Sequence, residues 1–156
     1  MIHTQNHALS PEIVEFLNGQ SLQDKQHEAM LLLTVSEEGW PHAAMLSAGE
    51  VLATGSAELR IALWTGTQTS ANLKRTQQAT LVMIHQGRAI YIRLACESLG
   101  VLEHARHPRE RFLARVAAYR EDVAAYADIT SGIAFSLNNP AEGLARWAET
   151  LEELER

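Results

Sequence analysis

Ala29-Met30-Leu31-Leu32-Leu33-Thr34-Val35-Ser36, then Glu37-Glu38-Gly39-Trp40-Pro41, then His42-Ala43-Ala44-Met45-Leu46-Ser47 is the stretch that decides the fold. The first run is apolar and β-prone, the middle five residues carry turn chemistry, and the third run resumes an extended pattern. Ala48-Gly49-Glu50 supplies the next break. Further along, Leu59, Ile61 and Leu63 alternate with Glu58, Arg60 and Ala62, the two-residue period of a half-buried strand. Residues 80–85 and 89–102 are β-rich and joined through Gln86-Gly87-Arg88, a hairpin turn. Short strands joined by short turns predict an antiparallel barrel rather than a parallel βαβ sheet.

Helical signals flank this core. Ser10-Pro11-Glu12 combines a hydroxyl cap, proline at the first helical position and an acid in the first turn, so a helix is predicted over 11–18, ended by Gly19. Residues 20–28 are polar and read as a linker. Thr67 or Thr69 caps a short helix running through Arg75. After His107-Pro108, Phe112, Val116, Tyr119, Val123 and Tyr126 recur at intervals of four and three, which predicts a helix packed on the barrel. Residues 131–138 are read as a last strand with Ile133, Phe135 and Leu137 on one side. Asn139-Pro140 then opens a C-terminal helix over 141–155, striped by Leu144, Trp147, Leu151 and Leu154. With no internal repeat, residues 1–156 form one domain.

Composition narrows the function classes. Hydrophobic residues make up 46% of the chain and charged residues 21%, as in an ordinary globular protein. The net charge of −6 is spread as mixed signs. Lys and Arg do not cluster outside residues 106–120, so nucleic acid is not an expected partner. A single cysteine, Cys96, excludes an internal disulfide and suits a reducing compartment. The first residues show no signal-peptide pattern, and the longest apolar run, residues 29–33, is far too short to span a bilayer. A cytoplasmic protein without a membrane role is the expectation.

Few residues announce chemistry. His104 and His107 have the spacing of two ligands on a helix, but Pro108 disfavours helical angles at His107 and no third ligand is indicated, so no metal site is assigned. Cys96 lies among apolar residues of a predicted strand and reads as an inert buried thiol. Neither a Gly-x-Ser-x-Gly elbow nor a glycine-rich phosphate loop occurs. The stretch Trp64-Thr65-Gly66-Thr67-Gln68-Thr69-Ser70-Ala71-Asn72-Leu73-Lys74-Arg75 is different. Hydroxyls gather at a helix N-terminus, where free N–H groups and the helix dipole favour an anion, beside an aromatic able to pack on a planar ligand. Two readings stand: an anion site with an aromatic platform, or plain helix capping beside a core tryptophan.

At these residues the chain resembles the pyridoxamine 5′-phosphate oxidase-like family, the FMN-binding split barrels. The likeness rests on Thr34, Gly39 and Pro41 in the first hairpin, and on Trp64-Thr65 followed by residues 66–73. It covers residues 10–102. The resemblance implies a six-stranded antiparallel split β-barrel, mainly β with flanking helices, working as a homodimer with FMN in clefts between subunits. Carried over by position, Trp64 and Thr65 would approach the flavin, Met45, Leu46 and Ser47 would line its edge, and Thr67, Thr69, Ser70 and Asn72 would cradle the phosphate. Many members carry Arg-Lys or Lys in this turn, where this chain has Gln68, Thr69 and Ser70. Charge-assisted hydrogen bonds contribute about 1.5–3 kcal/mol against about 1 for neutral ones, so FMN would be held loosely or replaced by the deazaflavin F420 or haem. The C-terminal substrate signature of true pyridoxamine phosphate oxidases is missing, and that activity is not expected. A flavin-dependent oxidoreductase acting on a small-molecule substrate or electron acceptor is the leading expectation. A flavin, F420 or haem binding and storage protein is the alternative, and a ligand-free scaffold is the third reading.

Overall fold

The computed structural model describes residues 2–102 and 105–156, with strands and helices numbered in chain order. β2 (Glu28–Val35) and β3 (Pro41–Ser47) form the expected hairpin, with Leu31 opposite Met45 and Val35 opposite Pro41. β6 (Gln78–His85) lies on the other side of β2 and turns into β7 (Arg88–Val101). That turn holds Gln86 at φ 49° and Gly87 at φ 75°, the two left-handed residues a tight hairpin needs. β8 (Arg109–Val123) pairs with β7 and with β5 (Glu58–Trp64), and β5 pairs with β4 (Val51–Ala53). The order β3-β2-β6-β7-β8-β5-β4 is antiparallel throughout. β1 (Ile2–Asn6) adds to β8, and β9 (Ile133–Ala134) to the start of β2. Where six strands were expected, this path has seven.

β3 and β4 are the two ends of that path, yet only residues 48–50 separate them. The sheet must therefore curl to bring its ends together, and the Ala62 N–H extends the β4–β5 ladder by donating to the Glu50 carbonyl at 2.9 Å. The curl encloses Met30, Leu32, Leu59, Ile61, Leu81, Ile92 and Phe112, all buried. Each such side chain contributes about 1.5–3 kcal/mol relative to an exposed one. Three helices close the barrel. α1 (Pro11–Phe16) is capped by Ser10, whose hydroxyl accepts from the Ile13 N–H, and buries Ile13 and Phe16. α2 (Gln68–Thr76) lies against β2, β7, β3 and β5. α3 (Pro140–Leu154), capped by Asn139, packs Leu151 and Leu154 on Leu52 and Ala62 and lays Trp147 over Gly49.

Two sequence expectations are corrected. Residues 109–123 form a strand, not a helix. Spacings of two and four keep residues on one face of a strand, so Phe112, Ala114 and Val116 all point inward. Arg93 pairs with Ala118 and Leu94 with Val116, which leaves Ala117 as an extra, bulged residue. The bulge flips the parity and brings Tyr119 inside, and the resulting interval of three imitates a helical repeat. Tyr126, the fifth member of that supposed face, is exposed. The last strand, expected over 131–138, contracts to Ile133–Ala134, with Phe135 stacked on Trp147 instead.

Candidate functional site

Trp64 ends β5 directly opposite Arg109 in β8, so both side chains leave the sheet on one face. The Arg109 guanidinium lies over the indole, 4.3 Å from the ring centroid, and its Nη1 donates to Thr150 Oγ1 of α3. Arg109 is only 7% exposed, and its Nε has no hydrogen-bond partner among the described residues. Burial lowers its pKa, and the nearby Glu50 carboxylate opposes that shift. Glu50 in turn accepts from the Ser47 amide at 3.1 Å and the Ser47 hydroxyl at 2.7 Å. Burial pushes the Glu50 carboxyl up, against the pull of Ser47 and Arg109. Ser47 at the end of β3 is thus linked to Trp64 at the end of β5 through Glu50 and Arg109. Two apolar side chains of the expected site remain open to solvent, Trp64 at 48% and Met45 at 52%, while Leu46 is core.

The phosphate-cradle candidates follow directly on Trp64. Thr65 and Gly66, the latter at φ 75°, carry the chain from β5 into α2. Thr67 caps α2 by accepting from the Ser70 N–H at 3.2 Å, while its own hydroxyl donates to the Trp64 carbonyl. Thr69, Ser70 and Asn72 are buried. The Ser70 hydroxyl donates to Glu110 Oε1 at 3.2 Å, Lys74 Nζ donates to the same oxygen at 3.1 Å, and the Ser98 hydroxyl donates to Oε2 at 2.5 Å. Burial works against ionisation of Glu110, but these three donors outweigh it and hold the carboxyl below its ordinary value. Asn72 donates to Thr34 Oγ1 at 3.0 Å and accepts from Gln68 and Arg75. Arg75 also donates to the Val35 carbonyl.

The expected site residues therefore fall into two groups. Trp64 and Ser47 belong with Arg109 and Glu50, while Met45 is exposed on the same face of β3 as Ser47. Ser70 belongs with Glu110, which pairs with Leu63 and leaves the sheet on the face opposite Trp64. Asn72, on the same helix, is tied to Thr34. Arg109, Glu110 and Glu50 were not identified from the sequence. The local signal for two of them was a charged pair, Arg109-Glu110, at the head of the apolar run of β8, and the helical reading of that run assigned neither a role. A planar ring fits the first group, because the open face of Trp64 is fixed from behind by Arg109. A phosphate does not fit the second, because Ser70 faces a carboxylate and the cations of α2 are engaged with protein acceptors.

A groove of about 640 Å³ runs over the outer side of the sheet, where apolar Leu33, Val35 and Pro41 mix with polar Thr76, Gln78 and Arg93. Burial pushes the Cys96 thiol up to about 12, so it is inert at neutral pH. No group of three or more His, Cys, Asp or Glu among the described residues is placed to hold a metal. His104, half of the histidine pair noted in the sequence, lies outside the described residues. No helix among them is long and apolar enough to cross a membrane.

Uncharacterized protein YclD of Bacillus subtilis (strain 168) is 49% identical to this chain over 148 residues, covering 95% of this chain and 96% of its own. The chain belongs to the YclD family. No protein-family model matches it. Among solved structures, a candidate pyridoxamine 5′-phosphate oxidase of Lactobacillus delbrueckii superposes with a TM-score of 0.59 at 16% identity, over 76% of this chain and 98% of its own. The haem storage protein HutZ of Vibrio cholerae gives a TM-score of 0.50 at 12% identity, over 76% and 99%. The fold is thus the split barrel of the pyridoxamine 5′-phosphate oxidase-like proteins, as the hairpin and turn resemblance implied.

Proposed function

We propose that this YclD-family protein binds a planar conjugated cofactor of the flavin class, FMN foremost, against Trp64, and serves as a cytoplasmic oxidoreductase for a small-molecule substrate or electron acceptor. The observation that carries the reading is the half-exposed indole held from behind by a buried guanidinium. A large aromatic left open at the meeting point of two sheet ends costs apolar exposure, and a stacked ring would recover it. Met45 and Thr65 would complete the rim, with Leu46 and Ser47 supporting it from within. In this reading Thr67, Thr69, Ser70 and Asn72 shape the turn beside the ligand. A bound flavin supplies the redox chemistry, and the chain's residues bind and orient it. Because the Ser47 and Ser70 hydroxyls are committed to carboxylates, a second reading is also supported: a binder of flavin, F420 or haem that performs no turnover.

The outer groove supports a homodimer, since a second copy covering Leu33, Val35 and Pro41 would remove their apolar surface from water. Light scattering that returned the 17.3 kDa mass of one chain at micromolar concentration would contradict this part. The cofactor reading is tested by equilibrium dialysis against FMN, F420 and haem. FMN binding is expected, and Trp64→Ala should weaken it about tenfold or more while a thermal melt shows the variant still folded, since aromatic stacking contributes about 1–3 kcal/mol. Equal binding by the two proteins would remove Trp64 from the site.

A further inference from the structure

We propose that Glu110 makes the α2 turn indifferent to phosphate, so that the flavin taken up is recognised through its ring system and riboflavin binds as well as FMN. This rests on the flavin reading above. The N-terminus of α2 offers amide groups to an anion, but a carboxylate stands 3.2 Å from the Ser70 hydroxyl, one turn into the helix. Glu110 is buried and saturated by Ser70, Lys74 and Ser98, an arrangement that keeps it ionised rather than protonated. Its charge opposes an incoming phosphate and also takes up Lys74, the nearest cation along the helix. Arg75 cannot substitute, because its guanidinium is spent on Val35 and Asn72. The α2 turn therefore presents no unpaired cation to a phosphate and one buried anion against it.

Glu110→Gln is the informative change, since the amide oxygen still accepts from Ser98 while the charge is lost and Lys74 is set free. Dissociation constants for FMN and riboflavin are measured by equilibrium titration on the wild type and Glu110→Gln, with thermal melts reporting folding. In the wild type the two flavins should agree within about threefold. Glu110→Gln should tighten FMN about tenfold or more and leave riboflavin unchanged, because a charge-assisted contact becomes available. Should that variant fail to fold, the wild-type comparison of the two flavins still decides the matter, because it needs no substitution. Wild-type FMN binding at least about tenfold tighter than riboflavin, or an unchanged FMN affinity in a folded Glu110→Gln, would overturn the inference while leaving the flavin reading intact. Binding of neither flavin would overturn both.

Discussion

Gly49→Ala is expected to destabilise the protein by about 3 kcal/mol, the upper end for one methyl group forced into a packed site. A Cβ at this position would lie 2.0–2.5 Å from Cγ, Cδ2 and Cβ of Trp147, and neither the indole nor the turn between β3 and β4 has room to yield. The relief available is to lift α3, which also withdraws Leu151 from its cluster and Thr150 from Arg109. Urea unfolding of Gly49→Ala, beside the double variant with Trp147→Gly, which removes Cβ, Cγ and Cδ2 together, checks the cause. The double variant should be no less stable than Trp147→Gly alone. If Gly49→Ala costs as much without the indole as with it, the contact is not the source.

Arg109→Met is expected to cost about 2–3 kcal/mol at pH 8, less than for a fully buried ion pair because Glu50 keeps some access to water. Removing the guanidinium leaves the Glu50 carboxyl without its opposing charge and takes away the support behind Trp64. The pH dependence identifies the mechanism. Burial already raises the Glu50 pKa in the folded protein above its ordinary value of 4.5, and losing Arg109 raises it further. A raised carboxyl pKa means the folded state holds its proton longer than the unfolded chain does. The resulting penalty is absent below the unfolded pKa, grows as pH rises through the folded one, and is fully present above it. The stability gap between wild type and Arg109→Met should therefore narrow as pH falls toward 4. A gap independent of pH would assign the loss to packing alone.

How much of this was legible in the sequence depends on how local each signal was. The Ser10 and Asn139 caps, the alternation of Leu59, Ile61 and Leu63, and the Gln86-Gly87 turn each state their structure within a few residues, and each appears as expected. β8 was misread because a single bulged residue, Ala117, inserts an odd interval into a strand pattern and so imitates a helix. β9 and its neighbours carry apolar residues at strand spacing, but Phe135 finds a better partner in Trp147 than in the sheet. The site divides the same way. Trp64 and the Thr67 cap could be located from adjacent residues, whereas Arg109, Glu110 and Glu50 reach them only through the curl of the sheet. A hydroxyl-rich turn looks like an anion cradle in one dimension. In three dimensions its serine answers to a carboxylate forty residues away.

The central claim is that a flavin ring stacks on the open face of Trp64, and the flavin's own emission during an equilibrium titration tests it most directly. An indole in contact with the ring quenches that emission. Adding wild-type protein to FMN should extinguish it in a saturable manner, and adding Trp64→Leu should leave most of it at the same concentrations. FMN emission that stays constant up to the highest wild-type concentration, or that falls equally with the Trp64→Leu protein, would contradict the claim.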